Sequence, residues 1–118
     1  MQKLTNKEEE IMQVLWRLKK AFVKEIIEEL PEPKPHYNTV STLIRKMESK
    51  GFIAHEDFGN TYRYLPEISQ DFYRSSKVNT TLKNYFDNSY KEMVAHFAKE
   101  EKISLEELKE IIKMIETK

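Results

Sequence analysis

Hydrogen-bonding side chains recur through one short stretch of the sequence. Asn38, Ser41, Thr42 and Arg45 are spaced three or four residues apart, so they would share one face of a helix. Amide, hydroxyl and guanidinium groups are the donors and acceptors that contact base edges and phosphates. Residues 33–50 also hold four basic side chains against one acid. The stretch therefore has the chemistry of a nucleic-acid contact, although any solvated helix also presents a polar face.

Other arrangements that carry chemistry are missing from the sequence. With no cysteine, the chain cannot form a disulfide, a thiolate nucleophile or a thiolate metal site. The histidines, His36, His55 and His96, lie far apart, and two glycines are too few for a phosphate-binding loop. No carboxylate pair or nucleophile with its base can be assembled. The sequence predicts no catalytic residue, no metal and no cofactor, and we do not expect an enzyme.

The bulk composition limits the class of protein. A chain of 118 residues has room for about one domain. Its 20 basic residues balance its 20 acidic residues, so any basic surface must be local. The first residues do not form a signal peptide, and no apolar run approaches the roughly 18 residues of a membrane span. We expect a cytoplasmic protein.

Three helices are predicted before the hairpin, and the polar stretch lies on the third. The first opens with Thr5 and Glu8 in a T-x-x-E capping arrangement, and prolines stop the second. The third is predicted to begin near His36 or Tyr37 and to end at Gly51, which can adopt a left-handed capping conformation. Apolar residues recur with helical periodicity in all three. These stripes are Ile11, Val14, Leu15 and Leu18; Val23, Ile26, Ile27 and Leu30; and Val40, Leu43, Ile44 and Met47.

A change of period from 3.6 to 2 follows the third helix. Ile53 to Phe58 and Thr61 to Leu65 flank Gly59-Asn60, which predicts a β-hairpin. Arg63 would lie on the strand face opposite two tyrosines, free to reach a phosphate. Three helices followed by a hairpin are the layout of a winged helix-turn-helix domain, which we assign to residues 1–66.

Residues 67–118 are predicted to be helical again. Ser69 would cap a short helix, a longer helix would carry Leu82 through Phe97, and Ser104 with Glu107 forms a second capping box for the last helix. The apolar surface of the last two helices exceeds the single stripe that a monomer needs to bury. We therefore predict a helical dimerisation region, the alternative being packing back on the N-terminal domain. The predicted dimerisation residues are Met93, Val94, Phe97, Leu108, Ile111, Ile112 and Ile115.

Three segments carry a resemblance to a known family. They are T-V-S-T-L-I-R-K-M-E-S-K-G-F-I at residues 39–53, T-Y-R-Y at residues 61–64, and E-x-x-I-M-x-V-L-W at residues 8–16. On these motifs the chain resembles the BlaI/MecI family of penicillinase and methicillin-resistance repressors over its full length. The resemblance implies a mainly α fold with a small β-hairpin, in which a winged helix is followed by dimerising helices. It also implies a bacterial repressor that binds an inverted-repeat operator as a homodimer.

The resemblance places base-reading roles at the start of the third helix, which spans about residues 37–50. This chain departs from the family there, since members often have a lysine where it has Asn38, and Ser- or Pro-containing caps where it has His36 and Tyr37. The operator sequence cannot therefore be transferred. The base-reading residues implied are Asn38, Thr39, Ser41 and Thr42, and the polar face and the hairpin add Arg45, Lys46 and Arg63 to the predicted DNA-binding set.

Family members that sense antibiotics are inactivated by proteolysis at an Asn-Phe bond in the penultimate helix. The protease is a membrane-embedded sensor with a zinc metalloprotease domain, which the resemblance implies as a partner. The matching bond here is His96-Phe97, where the asparagine is missing, so the inducing signal stays open. A copper-responsive branch uses a C-terminal cysteine cluster, which a chain without cysteine cannot do.

One alternative function remains at this stage, a winged-helix module that binds proteins without reading DNA sequence. Such a module should expose apolar residues on the face that here carries Asn38 and Arg45. Glu56 and Asp57 in the hairpin count against DNA binding, because they would repel phosphates if they pointed at the duplex.

Overall fold

The computed structural model describes residues 3–116, and the chain divides into two compact units, Met1–Arg74 and Ser75–Lys118. Six helices and one antiparallel hairpin make up these residues, which confirms the predicted mainly α fold with a small β-hairpin. None of the helices within residues 3–116 has the length and apolar character needed to cross a membrane. The elements are α1 (Asn6–Leu18), α2 (Val23–Glu29), α3 (Tyr37–Ser49), β1 (Ile53–Phe58), β2 (Thr61–Pro66), α4 (Gln70–Tyr85), α5 (Tyr90–Lys99) and α6 (Leu105–Glu116).

The core of the first unit forms where the apolar stripes of the first three helices meet. The periodic positions predicted for these helices lie in or against this core, because a 3.6-residue repeat keeps them on one side of each helix. The hairpin joins the core through Ile53 and Tyr64, and Ala21 pairs with Tyr64 as an isolated bridge. The most deeply buried side chains are Ile11, Met12, Leu15, Ile26, Val40, Ile44, Met47 and Phe52.

The end of α3 is a Schellman motif, as Gly51 predicted. Gly51 has φ +88°, its N–H donates to the Glu48 carbonyl at 3.0 Å, and the Phe52 N–H donates to the Met47 carbonyl at 3.0 Å. A residue with a Cβ would be strained at this φ. The motif turns the chain into β1 and places Phe52, which is fully buried, in the core.

Residues beyond the predicted boundary at 66 also belong to the first unit. The Trp16 indole N–H donates to the Ile68 carbonyl at 2.8 Å, and the Trp16 ring packs on Tyr73 with centroids 5.6 Å apart. The Tyr73 hydroxyl donates to a Glu9 carboxylate oxygen, and burial together with this carboxylate raises the pKa of Tyr73. These contacts explain why the first compact unit continues into the first turns of α4.

The prediction of a short helix followed by a long one that carries Leu82 through Phe97 is wrong about where the first helix ends. α4 is continuous, its start is capped by Ser69 as predicted, and the chain breaks only after Tyr85. Asp87 and Asn88 take left-handed φ values of 49° and 62°, which short polar side chains tolerate better than others. Ser89 then accepts from the N–H of residue 92 at 3.1 Å and caps α5.

Both predicted capping boxes are confirmed. Ser104 and Glu107 exchange hydrogen bonds of 2.9 and 3.1 Å at the start of α6. At α1, Thr5 and Glu8 do the same at 2.9 and 3.2 Å. The Glu8 carboxylate is also 3.4 Å from the Lys50 ammonium and only 1% exposed. Burial acts to raise the pKa of Glu8, but the Thr5 hydrogen bonds and the Lys50 charge together outweigh it, so the pKa is lowered.

Glu8→Gln should lower the free energy of unfolding at neutral pH by about 1–3 kcal/mol, because a neutral amide leaves Lys50 without its partner. The lowered pKa means that the folded state gains stability from ionised Glu8 above the ordinary glutamate range, and loses it as the pH falls. The difference between variant and native protein should therefore shrink as the pH falls below the ordinary glutamate range. Urea unfolding followed by circular dichroism measures both quantities.

The control is Glu10→Gln, since Glu10 is exposed on the same helix. It should change stability by less than about 0.5 kcal/mol at either pH. A Glu8→Gln deficit that is the same at acidic and neutral pH would contradict the role given to the ionised carboxylate.

Candidate nucleic-acid interface

The outward face of α3 carries the polar side chains predicted from the sequence. Asn38, Thr42 and Arg45 are exposed and Ser41 is half-buried. Val40, Ile44 and Met47 hold the opposite side of the helix in the core. Because these buried residues fix the rotation of the helix about its axis, the four polar groups have only one direction in which to point.

Thr39 and Lys46 lie on the flank of this face. Both are exposed, and Thr39 also lines a cavity of about 260 Å³ whose walls include Leu43 and Pro31. The structure thus separates Thr39 from the residues that face the hairpin.

A cleft of about 190 Å³ lies between α3 and the hairpin. It brings Ser41 and Arg45 of α3 together with Tyr62 of β2. Tyr37, about half exposed, also lines it and was not among the predicted site residues. The signal that could have identified Tyr37 was its spacing, since it lies four residues before Ser41 and therefore on the same helix face. The remaining lining residues are Val23, Asn60, Thr61 and Tyr64.

Arg63 lies on the other face of the hairpin, as predicted. Its cross-strand partner is Glu56, whereas Tyr62 and Tyr64 pair with the residues of the alternate face. The guanidinium carbon is 5.8 Å from the centroid of the Phe58 ring, and Phe58 itself meets Phe22 edge-on at 5.5 Å. This cation–π contact holds the Arg63 stem while leaving it partly exposed.

The basic patch is smaller than the sequence suggested. Lys34 donates from its ammonium to the carbonyls of Glu28 and Leu30 at 2.8 and 2.5 Å, which caps the end of α2. Lys50 is paired with Glu8. Of the four basic side chains in residues 33–50, Lys34, Arg45 and Lys46 are exposed, and the last two lie on α3.

The acidic side chains near the hairpin lie close to a lysine or to a histidine. Glu56 forms a salt bridge of 3.2 Å with Lys20, and the Glu48 carboxylate lies 2.5 Å from His55 Nδ1. Asp57 is the most exposed of them and approaches His55 Nε2 at 3.9 Å. Across residues 3–116, no group of three or more histidine and acidic side chains could hold a metal ion.

The predicted dimerisation residues lie on α5 and α6 in the second unit. Leu108 and Met93 are partly buried, while the others on these helices are exposed to a degree unusual for large apolar side chains. No extensive packing joins α5 to α6 within the described residues. The exposed fractions are Val94 39%, Phe97 38%, Ile111 47%, Ile112 53% and Ile115 67%.

The His96-Phe97 bond lies inside α5. His96 Nε2 is 3.1 Å from a Glu100 carboxylate oxygen one turn later. The rings of His96 and Phe97 both pack near the Phe86 ring. A protease needs an extended backbone, so scission at this bond would require local unwinding of the helix.

Three helices followed by a hairpin that borders the polar face of the third helix define a winged-helix protein. Residues 4–117 match the penicillinase repressor family, and the chain belongs to this family. The expectation that the chain is not an enzyme agrees with membership of a family of transcriptional repressors.

Individual relatives match over almost the full length of the chain. It is 25% identical over 114 residues to the penicillinase repressor of Bacillus licheniformis, covering 96% of this chain and 89% of that protein. It is 30% identical over 120 residues to the methicillin resistance regulatory protein MecI of Staphylococcus aureus strain N315, covering 98% and 94%. A solution structure of B. licheniformis BlaI, in monomeric form with the blaP half-operator, has a TM-score of 0.51 at 26% identity. It covers 61% of this chain and 89% of that one.

Proposed function

We propose that this protein is a transcriptional repressor that binds operator DNA with α3 in the major groove and the hairpin as a wing. The observation that carries the proposal is the outward polar face of α3, held beside the hairpin by its buried stripe. An α-helix fits the major groove, where each base pair presents a distinct pattern of donors and acceptors. The half-operator bound by the B. licheniformis relative supports this choice of ligand. A cytoplasmic location follows from it.

The site residues divide by chemistry. Asn38, Thr39, Ser41 and Thr42 would read base edges, because short polar side chains near the start of a recognition helix reach the groove floor. Arg45 and Lys46 would contact phosphates, as would Arg63 from the wing. Since the chain has no net charge, this small set must supply the electrostatic attraction to DNA.

A winged helix that binds a protein is the alternative function, and the exposed face of α3 disfavours it. A protein-binding face should carry a contiguous apolar patch. The aromatic residues on this side, Tyr37 and Tyr62, are only about half exposed and carry hydroxyl groups that suit a polar ligand.

We further propose that α5 and α6 form a homodimer, so that two recognition helices meet an inverted repeat. The support is the apolar surface that a single chain leaves exposed on these helices. A twofold partner would bury it, and two half-sites multiply both affinity and selectivity.

Release of the operator by scission is the remaining element of the proposal. A cut at His96-Phe97 would detach α6 and most of the dimerising surface. The protease would be a membrane-embedded sensor of the kind that serves antibiotic-responsive members of the family.

Selection of bound sequences from a random duplex pool tests the central proposal. A repressor of this kind should enrich an inverted repeat, whereas a protein-binding module should enrich nothing above background. The enriched duplex then serves as the ligand in the measurements below.

Asn38→Ala or Thr42→Ala should each weaken binding to the enriched duplex by about 1–3 kcal/mol, because each removes hydrogen bonds to base edges. Binding to random duplex should change little. Gel-shift titration measures both affinities, and circular dichroism confirms that folding is intact. Asn84→Ala, an exposed asparagine in the second unit, is the matched control. Unchanged specific affinity in both α3 variants would exclude the assigned readout.

Arg63→Ala should weaken binding to enriched and random duplexes by similar factors, because a phosphate contact carries no sequence information. The slope of log affinity against log salt should fall by about one unit. Titrations at several salt concentrations measure this slope, with Arg74→Ala, an exposed arginine, as control. A loss confined to one base pair of the site would instead make Arg63 a base reader.

Ending the chain after Phe97 should convert a dimer into a monomer whose N-terminal domain still folds. Ile112→Asp should do the same without a truncation, since Ile112 is half exposed in the single chain and a charge there opposes burial. Glu110→Lys, on the polar side of α6, should leave the dimer intact. Sedimentation equilibrium at tens of micromolar measures the oligomeric state. An intact chain that is monomeric would refute the proposed dimer, and a truncated chain that is dimeric would refute its dependence on α6.

A further inference from the structure

His55 occupies an unusual position between the recognition helix and the wing. It belongs to β1, yet its Nδ1 lies 2.5 Å from the Glu48 carboxylate of α3. Its ring stacks on Tyr62 of β2, with centroids 4.1 Å apart and an interplanar angle of 24°. Its other nitrogen, Nε2, lies 3.9 Å from Asp57. One imidazole thus contacts α3 and both strands of the wing.

We propose that His55 is a positioning residue that ties the wing to the recognition helix, and that its protonated form holds this geometry more firmly than its neutral form. The proposal rests on the DNA-binding function proposed above. Nothing in it requires His55 to contact DNA itself.

The number of N–H donors on the His55 ring explains why its protonated form should hold the geometry more firmly. An imidazolium carries N–H on both nitrogens and can donate to Glu48 and Asp57 together, whereas the neutral ring has one N–H. The positive charge also attracts both carboxylates. Arg45 and Tyr37 of α3 and the hydroxyls of Tyr62 and Tyr64 are the other charged or titratable groups that line the cleft on this side of the hairpin.

His55 joins the wing to α3, whereas the Lys20–Glu56 salt bridge and the Phe22–Phe58 ring contact join the wing to the segment between α1 and α2. Tyr62 faces α3 across the cleft, and the next residue, Arg63, points to the opposite side of the hairpin. The stacking of Tyr62 on His55 therefore helps to fix the position of β2, the strand that carries Arg63. Because a histidine side chain can change its charge near neutral pH, the tie can be tested by changing the pH.

The first test measures affinity for the enriched duplex at pH 6 and pH 8. Native protein should bind about two- to fivefold more tightly at pH 6, a range set by the modest strength of a partly exposed ion pair. His55→Gln, which cannot take up a proton, should lose most of this difference. His36→Gln, at the N-cap of α3, measures separately any pH dependence that arises at the recognition helix and should leave the His55 contribution in place. A pH dependence that survives in His55→Gln overturns the proposal.

The second test asks whether His55 acts through the wing. If it does, Arg63→Ala should weaken binding less in the His55→Gln background than in native protein. A residue that only stabilises the fold would leave the effect of Arg63→Ala unchanged. Equal effects in the two backgrounds therefore also overturn the proposal.

The third test needs no DNA and separates this inference from the function on which it rests. In an NMR pH titration of the free protein, the Tyr62 ring resonances should shift in step with those of His55. Glu48→Gln should reduce that coupled shift. Tyr62 resonances that ignore the titration of His55 would refute the tie, whereas failure to enrich any duplex would refute the proposed function alone.

Discussion

Burial of the apolar stripe of α3 is the constraint on which the site depends. Val40, Ile44 and Met47 can leave water only by packing against the first two helices, and this packing fixes the rotation of α3. The polar side chains are then directed outward without any interaction of their own. The Schellman motif at Gly51 continues this geometry into the hairpin, since the next residue, Phe52, anchors the start of β1 in the same core.

Charged side chains make up 34% of the sequence, with equal numbers of each sign, and some of the basic ones are paired within the first unit. Lys34 caps α2 through backbone carbonyl groups while staying exposed, and Lys50 pairs with the buried Glu8 carboxylate. The proposed phosphate contacts are Arg45, Lys46 and Arg63, the first two exposed and the third partly exposed. A single winged helix with so few cations would bind DNA weakly, which gives a physical reason for a protein of this kind to act as a dimer.

The second unit differs from the first in how its helices are stabilised. Its helix ends are specified locally, by Ser89 at α5 and by Ser104 with Glu107 at α6. Its apolar residues, in contrast, find little to pack against within one chain. Local capping without a closed core is what we expect of helices whose packing is completed by a partner.

The starts of α1, α3, α4 and α6, the end of α3, the hairpin and the apolar stripes of the first three helices could be predicted from the sequence, because periodicity and capping depend on residues a few positions apart. The break after Tyr85 was missed because Asp87 and Asn88 supplied a left-handed turn without glycine or proline. Contacts between distant residues were beyond such rules. That Lys34 and Lys50 are occupied, that Tyr37 joins the cleft, and that His55 bridges α3 and the wing are decided by tertiary packing, which brings together side chains that the sequence alone leaves unrelated.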